Sequence, residues 1–459
     1  MSIKLAIIGG GSSSFVPPLI RRLIQSPVLR DASVTLMDVD EGRVRVMDAL
    51  ANKLIESESS PLRVHSTLNQ REALVDVDFV IAAISVGGMD AWANDLELPG
   101  RYGLVMHVGD SIGPGGVMRA LRNAPVLAGV ARDVAEVAPH AYVFNYTNPA
   151  PTETMAMRTV PGVKAFGLCS CTQYPGRSSW LAEQAGVEPH EIAMPPVVGG
   201  INHCASVVEL RLTDGRDGLA LAREHVEHPV MKWVLETYGV LPYCWRHWVE
   251  HFPQMQWLEQ PYEGTAQGVK MRYGITTHNM EHERGRGQRL ERLARAWTAS
   301  DAGPVTIADL PHGEEDEGIE VIEIVEAIVE NRGTVHVVNT VNAGAIPNLP
   351  PDAIVEVNTH VGAYGIEPIA PGPLPEALAA HLRRYVDLER HMVKAALTGD
   401  RQAALHAFLL DPTTQARLDL DQTSALLDDM LQANAPYLPL FFGERQVPAR
   451  GGSSIQARS

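Results

Sequence analysis

The sequence Leu5-Ala6-Ile7-Ile8-Gly9-Gly10-Gly11-Ser12-Ser13-Ser14 decides the fold expected for the first part of the chain. Its first four residues form a continuous apolar run, which is typical of a strand buried on both faces of a parallel sheet. Pro17 and Pro18 follow closely, and prolines are tolerated only in the first turn of a helix. A strand, a glycine turn and a helix in this order predict a dinucleotide-binding turn, G-x-G-x-x-S, with serine replacing the third glycine.

The next strands extend this prediction. Val34–Met37 is apolar and ends at Asp38, where an acid would bind a ribose 2′-hydroxyl. A carboxylate there repels a 2′-phosphate, which favours NAD over NADP, unless Asp38 is only a solvated turn residue. Phe79–Ile84 is counted here as the third strand of the βαβαβ unit. The residues expected to bind the cofactor are Gly9, Gly11, Ser12, Phe15, Asp38 and Ser85.

Polar clusters follow three later apolar runs. The clusters are Asn145–Pro149, Gly167–Cys171 and Gly200–His203, after the runs Ala141–Phe144, Val163–Leu168 and Met194–Val198. Ligands of open α/β sheets lie beyond the carboxyl ends of the strands, so we expect the chemistry there. A thiol and an imidazole suit a divalent transition metal, and Cys169 with His203 is the minimal ligand pair. Cys171 is a candidate third ligand, which leaves a closed structural zinc site or inert buried thiols as alternatives.

The loop Gly109–Gly116 opens a helix that runs from Val117 to Val137. A loop of glycine and proline at a helix N-terminus holds an anion or simply turns the chain, and the sequence leaves both interpretations open.

Composition limits the classes of partner. The chain has 459 residues and a net charge of −17, which argues against nucleic acid or an anionic membrane as a partner. No apolar run approaches the roughly 18–20 residues needed to cross a bilayer. The chain enters a strand at once, so we expect no signal peptide and a cytoplasmic protein. Four cysteines are too few for a disulfide framework in a chain of this length.

The pattern changes after His203, and we expect two domains. The predicted fold is α/β: a Rossmann-type doubly wound NAD-binding domain over residues 1–198 and an α+β substrate, metal and oligomerisation domain over residues 199–442. This is a lactate/malate dehydrogenase-like architecture, followed by a disordered tail over residues 443–459. Further predicted strands are Ser206–Leu212, Val335–Asn339 and Ala353–Val357. Predicted helical segments are Leu241–Trp257, Glu281–Arg295, a helix starting at Glu314–Glu317, Leu374–Leu397, Arg401–Leu410 and Gln422–Ala435.

A nicotinamide and a metal in one cleft predict hydride removal from a carbon that carries a hydroxyl. In these motifs the sequence resembles the NAD- and manganese-dependent glycosidases of glycoside hydrolase family 4. The resemblance runs from Ile3 to about Phe442, and it is closest to the α-galactosidase and α-uronidase branch through Gly109–Gly116 and Gln173. The motifs that carry it are the N-terminal glycine-serine loop, Gly109–Gly116, Asn145–Pro149, Gly167–Cys169, Gly200–His203, Val338-Asn339, Asn342–Gly344 and Leu349-Pro350.

The resemblance implies a cycle of oxidation, elimination, addition and reduction. NAD oxidises the sugar C3 hydroxyl, a metal on Cys169 and His203 stabilises the ketone and enolate, and a base removes the C2 proton. The aglycone leaves, water adds and NADH restores the hydroxyl. Asp110 is implied near the metal, with Asn148 and Asn202 on the substrate. A homodimer or homotetramer is expected.

Two positions depart from the family pattern. Relatives commonly carry Asp, Asn or His directly after the metal-binding cysteine, whereas this chain has Ser170, a weak proton donor, so the general acid stays open. The base is usually a tyrosine, and Tyr243 is our choice from its spacing after His203. His247 is an alternative base, third ligand or substrate contact.

The substrate expected is a small unphosphorylated hexoside or hexuronoside. Between Met89 and Pro99 the chain has no Lys or Arg for a 6-phosphate. Arg272, Arg284 and Arg286 are a partial anion set or a solvated helix face. Two other functions compete: a hydroxy-acid or sugar dehydrogenase of the lactate/malate type, which the Cys169–His203 pair disfavours, and a non-catalytic sugar or NAD sensor, which Ser170 leaves open.

Overall fold

A nine-stranded sheet forms the centre of the computed structural model, which describes residues 2–172, 177–299, 303–311 and 319–443. Within these residues the strands are β1 (Lys4–Ile8), β2 (Ser33–Met37), β3 (Arg63–Thr67), β4 (Phe79–Ala82), β5 (Tyr142–Asn145), β6 (Lys164–Gly167), β7 (Val197–Gly199), β8 (Ser206–Glu209), β9 (Leu241–Pro242), β10 (Lys270–Met271), β11 (Ile275–Thr276), β12 (Thr334–Val341), β13 (Ile354–Gly362) and β14 (Gly365–Pro368).

Helices cover both faces of the sheet and build most of the second half of the chain. They are α1 (Val16–Gln25), α2 (Glu41–Ser57), α3 (Gln70–Leu74), α4 (Gly88–Arg101), α5 (Gly113–Val137), α6 (Ala150–Arg158), α7 (Arg177–Ala185), α8 (Gly218–His225), α9 (Pro229–Tyr238), α10 (Trp245–Trp248), α11 (Met280–Trp297), α12 (Ile319–Glu330), α13 (Glu376–Thr398), α14 (Arg401–Leu410), α15 (Pro412–Arg417), α16 (Leu420–Ala433) and α17 (Pro439–Phe442).

The strand order of the large sheet is β14-β13-β12-β6-β5-β4-β1-β2-β3. Strands β1 to β6 are parallel and follow the order 3-2-1-4-5-6 of a dinucleotide-binding sheet, which reverses between β1 and β4. Strands β12 to β14 are antiparallel and join β6 through the pair Asn339 and Gly167. The predicted Rossmann-type α/β fold is confirmed.

Strand β1 shows why its sequence is continuously apolar. Leu5 and Ile7 pack into the core with α1 and α2, whereas Ala6 and Ile8 pack into the opposite core with α3 and α5. Successive side chains of a strand point to opposite faces, and here helices cover both faces, so the strand has no solvent-facing side.

The sequence analysis miscounts one strand and overextends one helix. Phe79–Ile84 is not the third strand, because β3 lies before it at the sheet edge, with side chains only partly buried and no apolar run to reveal it. Leu241–Trp257 is not one helical region: it holds β9, α10 and two 3₁₀ turns, since Pro242 and Pro253 interrupt regular helix.

The rest of the chain forms smaller elements around the large sheet. Strands β7, β8 and β9 make a separate antiparallel sheet, and β10 pairs with β11. The domain boundary at residues 198/199 stays a prediction. Strands β12 to β14 lie after this boundary in the sequence, yet they extend the sheet of the N-terminal part. Gln173, the Glu314–Glu317 helix start and residues 444–459 of the predicted tail lie outside the described residues. None of the helices in the described ranges is long and apolar enough to span a membrane.

A buried ion pair connects distant parts of this fold. Arg122 of α5 donates to both carboxylate oxygens of Asp95 in α4, at 2.9 and 2.6 Å, and both side chains are almost fully buried. The same guanidinium donates to Asn434 Oδ1 just after α16 and to the Val86 carbonyl after β4. One cation therefore fixes three helices and a strand end.

Replacing Asp95 by alanine should destabilise the protein by about 3–5 kcal/mol, because Arg122 would remain buried without its counter-ion. Urea unfolding followed by circular dichroism measures this change. Glu209→Ala is the matched control, since it breaks an exposed ion pair with Arg211 and should change the unfolding midpoint little. Equal changes in the free energy of unfolding for the two substitutions would show that the buried ion pair stabilises the protein no more than the exposed pair does.

Candidate active site

The glycine turn after β1 has the geometry of a close backbone approach. Gly9 has φ +97°, and a Cβ on it would lie 2.1 Å from the Ala83 carbonyl oxygen, so only glycine fits. The Gly11 amide donates to Asp38 Oδ2 at 2.9 Å, and the Asp40 amide donates to Asp38 Oδ1 at 3.0 Å. Asp38 therefore fixes the turn, and its contact with a ribose stays a prediction.

The other residues predicted to bind the cofactor have different surroundings. Ser12 Oγ accepts a hydrogen bond from the Phe15 amide at 3.2 Å, within the turn. The Phe15 ring is buried and meets the Tyr146 ring edge-on at 5.0 Å, so its contacts are with the core. Ser85 is exposed beyond the end of β4. Their roles with a nucleotide stay predictions.

Asp110 is the centre of a buried polar group beyond the strand ends. Ser111 Oγ donates to Asp110 Oδ1 at 2.7 Å and lies 3.0 Å from His203 Nδ1. Asn148 Nδ2 donates to Asp110 Oδ2 at 2.9 Å. Ligand atoms of Asp110, His203 and His247 all lie within 4.8 Å of one another, and the two imidazoles stack at 4.0 Å. We name Asp110, His203 and His247, with Ser111 and Asn148 beside them, the oxygen-rich group.

The electrostatic field favours an ionised Asp110. Burial alone would raise the pKa of its carboxyl, but the positive charges of Arg119, His203 and His247 and the Ser111 hydrogen bond hold that pKa well below its usual range. Arg119 also donates from Nε to the Asn148 carbonyl at 3.3 Å. The Asp110 carboxylate is therefore the negatively charged donor within this group.

A chain of hydrogen bonds joins the end of β4 to Asp110. The Val86 amide donates to Asn123 Oδ1 at 3.0 Å, and Asn123 Nδ2 donates to the Asn148 carbonyl at 3.1 Å. Asn148 then donates to Asp110, so the nucleotide side of the cleft and the oxygen-rich group are mechanically connected. Asn123 is fully buried in α5, and an amide side chain among the apolar residues of that helix was the signal that the sequence analysis missed.

Glu250 is a second residue that the sequence analysis did not identify. It is 1 % exposed, and its Oε1 accepts the backbone amides of Val108 and Gly109, each at 2.8 Å. Its Oε2 lies 3.9 Å from His247 Nδ1. Burial alone would lower the pKa of His247, but its neighbours Cys171 and Glu250 raise that pKa well above its usual value. An acid three residues after a histidine on a helical turn was the available signal.

Three thiols gather beside the oxygen-rich group. Cys169 lies two residues beyond the end of β6, and Cys171 follows it in a 3₁₀ turn and is partly exposed. Cys244, which the sequence analysis did not single out, is buried at the start of α10. Cys171, Cys244 and His247 have their ligand atoms within 4.8 Å of one another, and we name these three residues the Cys2His cluster. Of the two predicted ligands, His203 belongs to the oxygen-rich group, whereas Cys169 hydrogen-bonds with Cys171 and Cys244. Their pairing on one ion stays a prediction.

The thiols differ in acidity. Hydrogen bonds with Cys169 and Cys244 outweigh burial and hold the pKa of the Cys171 thiol well below its usual range. Burial, followed by the neighbouring thiols, raises the pKa of Cys244 well above its usual range. The three cysteines are therefore one interacting set and not three independent thiols.

The candidates for acid, base and substrate contacts lie at different depths. Ser170 is partly exposed beside Cys169. Tyr243 is buried at 4 % exposure in an apolar cluster, with Trp180 edge-on at 6.1 Å. Asn202 donates to Glu356 Oε1 at 3.3 Å inside the protein, which is a positioning contact for the neighbouring His203. The structure does not distinguish Tyr243 from His247 as the base.

The residues present fit a divalent cation. Two imidazoles and a carboxylate at mutual distances under 4.8 Å are a transition-metal donor set, and His247 Nδ1 is buried with no hydrogen-bond partner in the described part of the chain. The turn at Gly9 and Gly11 likewise fits a pyrophosphate, since it leads directly into the N-terminus of α1, and helix N-termini bind anions.

Comparison with known proteins identifies the family. The family model described as "Family 4 glycosyl hydrolase" matches residues 4–182, and that described as "Family 4 glycosyl hydrolase C-terminal domain" matches residues 198–414. The chain belongs to the family 4 glycosyl hydrolases. The resemblance inferred from its motifs is confirmed, and so is the expectation of an enzyme that hydrolyses glycosidic bonds.

Individual members of family 4 match over nearly the whole chain. An α-galactosidase of Rhizobium meliloti is 31 % identical, over 96 % of this chain and 90 % of that enzyme. An α-galacturonidase of Bacillus subtilis is 31 % identical, over 94 % of this chain and 97 % of that enzyme. A 6-phospho-α-glucosidase from gut microorganisms, solved in complex with NAD and Mn²⁺, superposes with a TM-score of 0.78 at 22 % identity, covering 96 % of this chain and 99 % of that one.

Asp38→Arg should weaken NAD binding roughly 10- to 100-fold, because a charged hydrogen-bond acceptor is lost from both the ribose position and Gly11. The same substitution should improve NADP relative to NAD, since arginine attracts a 2′-phosphate. Calorimetric titration of the two nucleotides measures both effects. Asp31→Arg, the same charge change at an exposed position, is the control; unchanged affinities in Asp38→Arg would refute the nucleotide assignment.

Proposed function

We propose that this family 4 enzyme cleaves a small unphosphorylated hexoside or hexuronoside with NAD and a divalent metal, manganese, as cofactors. The observation that carries the proposal is the hydrogen-bonded connection from the end of β4 through Asn123 and Asn148 to Asp110. It supports a cation-binding group close to a nucleotide turn, which is the combination that oxidation at one carbon and deprotonation at the next require.

The cofactors supply what side chains do not. When bound, NAD would accept and return the hydride at C3 of the sugar, and the metal would stabilise the negative charge that develops on the C3 oxygen. Gly9, Gly11 and Asp38 would hold the nucleotide. His203 and Cys169 would hold the metal, with Asp110 and His247 as the further donors that the structure brings to the same place.

The remaining steps fall to the side chains of the cleft. Asp110, whose carboxyl pKa is held well below its usual range, would accept the Asn148 hydrogen bond and so hold that side chain toward the sugar hydroxyls. Tyr243 or His247 would take the C2 proton, and Ser170 stands where relatives carry a proton donor. Because serine is a weak acid, we infer that the aglycone is one that leaves readily or departs with a proton from water.

Charge near the cleft supports an unphosphorylated substrate. Arg284 pairs with Asp90 at 2.6 Å, and Arg286 pairs with Glu283 at 3.2 Å, so both guanidinium groups already have counter-ions. Arg119, beside Asn148, has its Nη1 buried with no hydrogen-bond partner among the described residues. One such guanidinium suits the single charge of a uronate better than the dianion of a 6-phosphate.

The relatives support the same substrate class. Enzymes named for α-galactosides and α-galacturonides are 31 % identical to this chain, and a probable 6-phospho-β-glucosidase of Bacillus subtilis is 28 % identical, so identity favours the unphosphorylated class by a small margin. A galactoside or galacturonide is therefore the configuration that we favour. We also expect a homodimer or homotetramer.

Hydrolysis in D₂O should give a sugar that carries deuterium at C2, because the C2 proton is exchanged with solvent before water adds. NAD should not be consumed in net terms. Mass spectrometry and proton NMR of the product and of recovered substrate measure the label, with substrate incubated without enzyme as the control. Product that lacks deuterium at C2 would indicate direct displacement; net NADH production would indicate a dehydrogenase.

Matched glycosides with and without a 6-phosphate should differ in kcat/KM, with the unphosphorylated member preferred, because Arg284 and Arg286 are neutralised by neighbouring acids. Steady-state kinetics on galactoside, galacturonide and 6-phosphogalactoside series with one common aglycone make the comparison. A preference of tenfold or more for the phosphorylated member, about 1.4 kcal/mol, would contradict the substrate proposal.

A further inference from the structure

The Cys2His cluster contains two cysteines, Cys171 and Cys244, that the proposed glycosidase chemistry does not use. Two of its ligands, Cys244 and His247, are three residues apart at α10 and face the same side, while Cys171 approaches from the turn after β6. The three ligand atoms lie within 4.8 Å of one another. Cys171 is partly exposed, which leaves an ion a route from solvent.

We propose that Cys171, Cys244 and His247 form a second metal site, which takes zinc. A tetrahedral zinc ion with bonds of roughly 2.0–2.3 Å holds its ligand atoms about 3.5–3.8 Å apart, so small side-chain rotations bring the three atoms to that spacing. The fourth position is open to water or to Cys169, which hydrogen-bonds with both of the other thiols.

Ligand chemistry separates this site from the oxygen-rich group. Two thiolates and an imidazole prefer a soft or borderline ion such as Zn²⁺, whereas Asp110 with two imidazoles suits Mn²⁺. On binding, each thiol releases its proton to solvent, and the two thiolates balance the charge of the zinc ion.

His247 belongs to both groups, so zinc binding at the second site affects metal binding at the first. When zinc draws the His247 imidazole toward Cys171 and Cys244, the oxygen-rich group loses a donor. Zinc bound at the Cys2His cluster therefore lowers the affinity of the oxygen-rich group for manganese without occupying the oxygen-rich group. This consequence rests on the proposed function, whereas zinc binding to the thiols does not.

Cobalt substitution tests the site directly. Metal-free full-length protein titrated with Co²⁺ should show thiolate-to-cobalt charge-transfer absorption that Zn²⁺ abolishes. Cys171→Ser and Cys244→Ser should each reduce the absorption and weaken zinc by more than the roughly 10- to 100-fold that loss of an outer metal-site partner costs. Cys204→Ala, which removes a buried thiol outside the group, should leave both unchanged. Cys171 is partly exposed, so its variant stays informative even if Cys244→Ser does not fold.

Two results would overturn the zinc site. The first is absorption that is the same in wild type, Cys171→Ser and Cys244→Ser. The second is absorption that disappears only in Cys169→Ser, which places the ion with Cys169 and His203.

Zinc-induced release of manganese tests whether the two sites share the His247 imidazole. The released Mn²⁺ is measured by electron paramagnetic resonance. Zinc should release manganese from wild type and release much less from Cys171→Ser. Equal release from both would mean that zinc simply replaces manganese in the oxygen-rich group, against the proposal. Wild type that binds no manganese would instead count against the proposed function, and the cobalt absorption would still decide the zinc site.

Discussion

The buried carboxylate of Asp110 is the constraint on which the site depends. An ionised carboxyl away from water is tolerated only where donors and positive charge surround it. Here the donors come from Ser111 and Asn148, and the charge comes from Arg119 and the imidazoles. These groups lie on α5, at the end of β5 and beyond β7, so the carboxylate is stable only when all of these elements are in place. Folding and assembly of the site are therefore one process.

Histidine 247 connects the two kinds of chemistry in the cleft. It stacks on His203, faces Asp110, and lies within reach of two thiols and of Glu250. Glu250 in turn holds the backbone of the Gly109 loop through two amides, so the loop and the imidazole are positioned by one carboxylate. An acid of the protein itself thus holds the start of the glycine-proline loop.

Much of the fold could be predicted because β1, β2, β4, β5 and β6 are apolar runs followed by glycine, acid or amide residues. Strand β3 could not, since an edge strand with partly buried side chains has no apolar pattern. In the site, His203 and Asp110 could be named from their motifs. Asn123 and Glu250 each left a local signal that was missed, a polar residue within a helix and an acid three residues after His247. What these residues and Cys244 contact could not be named, because they meet their partners through contacts between elements distant in sequence.

The junction between Gly167 and Asn339 has a consequence for how the chain can be divided. Strand β6 is covered on that side only by strands that come from some 170 residues later in the sequence. A fragment that ends before β12 would expose β6 as an open edge, with unpaired amides and carbonyls beside apolar neighbours, which is a template for aggregation. The two segments matched by separate family models thus share one sheet, and recombination between relatives would have to exchange β12 together with β6.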